Sequence, residues 1–192
     1  VAAYRAPDFR VDATLTGDTA VPVLGATLRA GIEATYLFGS PLRSRPVRVW
    51  VTRSWTIEVP EAIRNRYAAD RFVFGYVPSA DSAPSLGGAA NDRTDRLDSN
   101  GRLQTTVATD TGRDAALAYQ FNGDVEGESG QHIASRARLV VHPSSIYVGV
   151  RRPPTFVDIT APVRVEVAAA NLDGSAARAP VTVTLFRQEW TP

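Results

Sequence analysis

The strongest constraint on how this chain folds is that it states one pattern twice. Residues 28 to 55 read LRAGIEATYLFGSPLRSRPVRVWVTRSW and residues 163 to 190 read VRVEVAAANLDGSAARAPVTVTLFRQEW. Gly39 answers Gly174, Arg43 answers Arg178, Pro46 answers Pro180 and Trp55 answers Trp190. The copies lie about 135 residues apart, a spacing the size of an ordinary domain and far longer than a solenoid repeat. The pattern predicts one complete unit followed by the opening of a second.

Within each copy the period is two. Phe9, Val11, Ala13 and Leu15 alternate with Arg10, Asp12 and Thr14, which places one apolar row on a single face of an extended segment. Leu28, Ala30, Ile32, Ala34 and Tyr36 repeat the arrangement, as do Val47, Val49 and Val51, and then Ile133, Ala137, Leu139 and Val141. Leu103 to Ala108 and Ala115 to Phe121 are also compatible with strands, and Asn100-Gly101, Thr111-Gly112 and Asn122-Gly123 carry turn chemistry. Strands with one apolar and one charged face predict two antiparallel sheets packed face to face: an all-β sandwich of about seven strands over residues 1–143. After His142-Pro143 the pattern restarts, with strands at Ile146 to Val150, Val163 to Ala169 and Val181 to Phe186 joined through Asp173-Gly174. Residues 144–192 are thus expected to be the first strands of a second sandwich, severed midway. An open edge and half-covered apolar face there predict packing on the first unit or self-association with another copy.

Residues 57–98 break the rhythm. Glu61 to Tyr67 has the composition of one or two helical turns, Phe72, Phe74 and Tyr76 form a short aromatic alternation, and Ser79 to Ala90 has little to bury. The expectation is a long mobile insertion in the first domain, the alternative being an interaction loop whose aromatics meet a neighbouring domain.

Composition removes whole classes of chemistry. The chain has no Cys, which excludes disulfides, thiolate metal sites and cysteine nucleophiles. Net charge is +1, without the clustered basic excess that nucleic-acid binding requires, although all 21 basic residues are Arg. No 18-residue apolar run and no leader pattern is present. The start at Val1, with no Met anywhere, reads as excision from a longer polypeptide.

The remaining candidate sites read as structural. His132 and His142 stand ten residues apart on one strand face, roughly 30 Å at the strand rise, so they cannot share a metal and read as surface histidines. Ser129 and His132 with an Asp would make a triad only on paper, since no nucleophile elbow surrounds the serine. Asp92, Asp95, Asp98 and Asn100 precede Gly101, but their spacing of three and the intervening Arg93 and Arg96 favour a solvated turn over a calcium loop. Glu126 and Glu128 fall in the glycine-rich stretch Gly123 to Gly130, where general acid work lacks the burial it needs. Trp50 is out of phase with Val49 and Val51 and reads as packing against an adjoining domain. No catalytic, cofactor-binding or metal residues are expected.

The ordered motifs also carry a resemblance. Tyr4-Arg5-Ala6-Pro7-Asp8-Phe9-Arg10-Val11, then Tyr36-Leu37-Phe38-Gly39-Ser40-Pro41-Leu42 with Pro46-Val47-Arg48-Val49-Trp50-Val51-Thr52-Arg53, resemble the start, strand, Phe-Gly-x-Pro turn and following strand of macroglobulin domains in bacterial alpha-2-macroglobulins. Tyr147-Val148-Gly149-Val150-Arg151-Arg152, Phe156-Val157-Asp158, Asp173-Gly174 and Val183 to Trp190 resemble the next such domain. The resemblance covers nearly the whole chain except residues 57–98. It implies a macroglobulin-like fold and a non-enzymatic scaffold of a periplasmic or cell-envelope protease inhibitor, secreted as the alternative. In that family a protease cleaves a bait segment, the domain array collapses around it and many members capture it through a Cys-Gln thioester. The implied partners are neighbouring macroglobulin domains and, through the parent, target proteases. The thioester Cys has no counterpart here, and the Ser79 to Ala90 stretch does not lie where the family carries its bait. The alternative reading is a cell-surface adhesion or carbohydrate-binding sandwich with Trp50, Trp55 and the loop aromatics as its platform.

Overall fold

The computed structural model describes residues 7–76, 78, 84–152, 154, 156, 162 and 164–184. The alternating segments are strands, as their period requires. Three of them, β1 (Phe9–Thr16), β2 (Thr27–Tyr36) and β6 (Arg102–Ala108), form an antiparallel sheet in the order β1-β2-β6. Four others, β3 (Pro46–Trp55), β5 (Ala90–Arg96), β7 (Leu117–Glu126) and β8 (His132–Val141), form the second in the order β5-β3-β7-β8. The two sheets enclose Phe9, Leu15, Leu28, Ile32, Val47, Val49, Val51, Leu117, Tyr119, Phe121 and Val125. This is the expected seven-stranded antiparallel sandwich.

Asn122-Gly123, expected to turn, lies in the middle of β7. A Cβ on Gly123 would stand 2.3 Å from Ile32 Cδ1 of the facing sheet. The glycine is there for close approach between sheets, and Asn122 donates Nδ2–H bonds to the Trp50 and Gln120 carbonyls instead of turning the chain. The turn before β8 is confined to residues 127–130, where the Gly130 amide donates to the Gly127 carbonyl. Asn100-Gly101 does turn, with Gly101 at φ +73°.

The second correction concerns Asp92 and Asp95, which sit on β5 and not in a solvated turn. This strand is polar on both faces because it is the edge of its sheet. Its backbone pairs with β3, and Arg48 makes a two-pronged contact with the Asp92 carboxylate at 2.9 and 2.7 Å. A charged edge of this kind discourages pairing with foreign strands.

The segment after β3 builds a third sheet. Pro60 precedes helix α1 (Glu61–Arg66), a 3₁₀ turn follows at Ala68–Asp70, and β4 (Phe72–Phe74) pairs with β9 (Ile146–Arg151), which pairs with β10 (Val167–Asn171). Ile63, Phe74, Tyr147 and Ala170 are the buried centre of this smaller cluster, with Tyr67, Phe72 and Leu172 packed around it. The strand expected at Val163 to Ala169 runs later, at Val167–Asn171, and residues 181–184 are not a strand. The rest of that expected strand, residues 79–83 of the serine-rich stretch and the resembling residues 4–6, 157, 158, 163 and 185–190 lie outside the described residues.

The internal repeat is visible atom by atom at one place. After β2 the Tyr36 amide donates to the Ser40 carbonyl at 2.8 Å, the Gly39 amide to the Tyr36 carbonyl at 2.8 Å, and Thr35 bridges Pro41. After β10 the Asn171 amide donates to Ser175 at 2.9 Å, the Gly174 amide to Asn171 at 2.9 Å, and Ala170 bridges Ala176. Gly39 and Gly174 hold φ of +97° and +83°, a region L side chains avoid. Likewise β9 pairs with β10 as β1 pairs with β2: Ile146 opposite Asn171, Phe9 opposite Tyr36.

Candidate functional site

The feature with most capacity to act is the junction between the two sets of sheets. The chain leaves the first sandwich at His142, whose amide donates to the Pro22 carbonyl at 2.9 Å and whose carbonyl accepts from Leu24 at 2.8 Å. Five residues on, Tyr147 turns into the smaller cluster, and its hydroxyl lies 2.7 Å from His142 Nδ1. Burial pushes the phenol up and drives the imidazole down to about 4. The ring is therefore neutral near neutrality, and its Nδ1 shares a hydrogen bond with the Tyr147 hydroxyl. His142 is a buried linker and not the surface residue expected from sequence.

Beside this linker a cleft of about 620 Å³ runs between the units. Ile57, Val73, Tyr76, Ala116, Val148 and Val150 line it, and its rim carries Asp114, whose carboxylate accepts from Tyr76 and pushes that phenol up to about 12. A partly buried polar group ties the β6–β7 loop to β3. Arg53 Nη1 donates to both oxygens of Asp110 at 3.2 and 3.0 Å, Arg53 Nη2 donates to the Leu86 carbonyl, and Tyr119 O–H donates to Asp110 Oδ2 at 2.5 Å. Burial raises the Asp110 carboxyl, but the bonds from Tyr119 and Arg53 outweigh it and hold the group below its usual range. A carboxylate so fully engaged is a strut, with no lone pair directed at a substrate. Sequence reasoning missed it, although Tyr119 sits on the inward row with Leu117 and Phe121, where a hydroxyl has to find a partner.

The other expected positions remain separate. His132 is exposed and meets the Asp124 carboxylate across the β7–β8 pair, at 3.3 Å. Ser129 and Glu128 lie exposed in the turn, and Arg45 caps the Glu126 and Gly127 carbonyls at 3.0 and 2.6 Å. Among the described residues no three His, Cys, Asp or Glu side chains gather to hold a metal. Trp50 and Trp55 are five apart on an unbroken β3–β7 ladder and so point to opposite faces of the sheet. Trp50 lies beside the Arg48 guanidinium at 5.4 Å, and Trp55 packs on the core beneath Arg113 at 5.9 Å. The two indoles cannot form one stacking platform.

The fold has close counterparts among solved structures. The native conformation of Escherichia coli alpha-2-macroglobulin matches 88% of this chain and 11% of its own length, with a TM-score of 0.61 at 16% identity. The chain has the fold of bacterial alpha-2-macroglobulin domains. Trypsin-activated Escherichia coli alpha-2-macroglobulin matches 77% of this chain and 9% of its own at TM-score 0.58 and 20% identity. Salmonella alpha-2-macroglobulin reacted with methylamine matches 78% and 9% at 0.59 and 14%. The chain thus spans about a tenth of these macroglobulins. No family model and no curated protein sequence matches it. No helix among the described residues is long and apolar enough to cross a membrane.

Proposed function

We propose that this chain is a non-catalytic structural module of a protease-trapping protein of the alpha-2-macroglobulin kind, acting in the periplasm or cell envelope. In this reading residues 1–143 make up one macroglobulin-like unit, whose segment 59–74 packs into the next unit, opened by residues 144–192. The observation that carries the reading is the way they are joined. The segment that leaves the first sandwich after β3 supplies both the helix and the edge strand of the second unit's sheet. The packing of α1 and β4 against β9 and β10 thereby couples movement of one unit to movement of the next. The likeness to native and protease-activated macroglobulins supports the same role. The partners are neighbouring units of the same kind and, through them, the captured protease.

The test is the complete polypeptide that contains this chain, incubated with trypsin and followed by small-angle scattering. Compaction on cleavage, with the bound trypsin still able to hydrolyse a small chromogenic substrate but not casein, is the expected result. Cleavage without compaction or retention excludes the trap. The self-association expected of the second unit would rest on the exposed row Val73, Val148 and Val150; sedimentation of Val148→Glu beside the parent chain checks it, the parent alone being expected to associate.

A further inference from the structure

The two copies of the repeated turn differ in one respect: one is docked and the other is bare. The Gly174 turn lies on α1, so close that a Cβ there would stand 2.6 Å from the Ala62 carbonyl oxygen, and Leu172 packs in the cluster around Ile63. At Gly39 the same hypothetical Cβ meets nothing within 4 Å among the described residues. Leu37, which takes the place of Leu172, is 67% exposed, and Phe38 beside it is 78% exposed with its ring stacked on Tyr36 at 5.0 Å. Backbone bonds on both sides hold the bare tip in the docked conformation, and the Leu37 amide is further pinned to the Asp8 carbonyl at 3.0 Å. An apolar tip kept rigid in water is preorganised for a contact, because little ordering remains to oppose it.

We propose that the Leu37–Phe38–Gly39 tip is an interaction surface for a second macroglobulin-like unit, which presents to it a short helix of the α1 kind. Leu37 would enter the pocket beside that helix's buried aliphatic residue, and Gly39 would lie flat on a helical carbonyl. The occupant follows from the intramolecular precedent: the first unit offers Ala62 and Ile63 to the second unit's tip in this way. Where the chain enters β1 agrees with it. Phe9 is paired with Tyr36, so a unit preceding β1 would meet the tip as the first unit meets residues 171–175. Another copy of this chain is a poor occupant, since its own α1 is already covered by Leu172 and Gly174. The outward face of the first unit's strands, with Arg10, Asp12, Arg29 and Glu33, is polar, which limits the contact to the tip. A contact of millimolar strength is sufficient between linked units, because a short tether supplies a comparable effective concentration. This inference takes the tandem-unit reading as its basis, but its test involves no protease and fails separately from the trap.

The probe is a synthetic peptide of residues 57–76 whose helix is closed by a lactam from Glu61 to a lysine introduced by Asn65→Lys, its helicity verified by circular dichroism before use. It is titrated into the ¹⁵N-labelled 192-residue chain. Saturable shifts of the Leu37, Phe38 and Gly39 amides, with the Leu172 and Gly174 amides unmoved, are expected. Leu37→Asp and Gly39→Ala, each confirmed folded by its dispersed spectrum, should bind at least tenfold more weakly. Unmoved tip resonances at about 1 mM helical peptide, or equal binding by both variants, would overturn the proposal.

Discussion

His142 carries a charge-state liability that its surroundings define. Its ring is enclosed by the end of β8, the Pro22–Leu24 segment and Tyr147, and the Glu58 carboxylate favours its protonation without overcoming the burial. Glu58 is itself held low, first by its hydrogen bond to Arg138. The folded value near 4 lies below the ordinary value of 6.5, so the unfolded chain binds a proton that the folded chain refuses. The His142 contribution to stability should be complete above about pH 6.5 and be lost as pH drops toward 4, a change on the order of 3 kcal/mol over that window. Urea denaturation between pH 7 and 4 should show this slope, and His142→Gln should flatten it; an unchanged slope in the variant would place the acid sensitivity elsewhere. Gly123 sets a steric limit of comparable size. Because its Cβ would overlap Ile32 Cδ1, Gly123→Ala should destabilise the sandwich by about 1–3 kcal/mol. Adding Ile32→Val, which shortens the facing side chain, should recover part of that loss in the same denaturation assay.

At the scale of elements, what could be read from sequence was whatever had a face. β1, β2 and β8 each turn one row inward and expose the other, and their period located them to within a residue or two, whereas β3 runs on to Trp55 beyond the alternation that revealed it. β5 buries almost nothing, so Ala90–Arg96 had no period to read, and only the neighbouring strand's backbone makes it a strand. Asn122-Gly123 misled because turn propensity and close packing both select glycine, and only the position of Ile32 tells them apart. At the candidate site, the turn glycines were legible and their different fates were not, since docking depends on α1, more than a hundred residues away in sequence. That difference is measurable. Gly39→Ala adds only left-handed strain, about 1 kcal/mol, whereas Gly174→Ala adds the overlap with the Ala62 carbonyl and should push the tip off the helix. Hydrogen exchange should then quicken in α1, β9 and β10 for Gly174→Ala while β3 and β7 keep their protection in both variants.

The whole molecule has two cores of unequal size. Among the described residues the sandwich buries eighteen apolar side chains and the junction cluster four, and that smaller cluster is assembled from two distant stretches, residues 59–74 and 147–172. Neither stretch can bury its apolar side chains without the other. A cluster so small opens at lower free energy than the sandwich, and its elements must open together. Ile63, fully buried at its centre, is the lever: Ile63→Ala should lower the opening free energy of α1, β4, β9 and β10 by about 2–5 kcal/mol and leave β3 and β7 unaffected. Native-state hydrogen exchange resolves the two levels, and trypsin reports the same event because Arg64, Arg66 and Arg71 lie in the segment that is released. If every element instead exchanges at one free energy in both proteins, the units unfold as one body. Two levels would mean that the joint is the weakest part of the chain, so that a protein built from such modules would yield first at its junctions and keep its sandwiches intact while it rearranges.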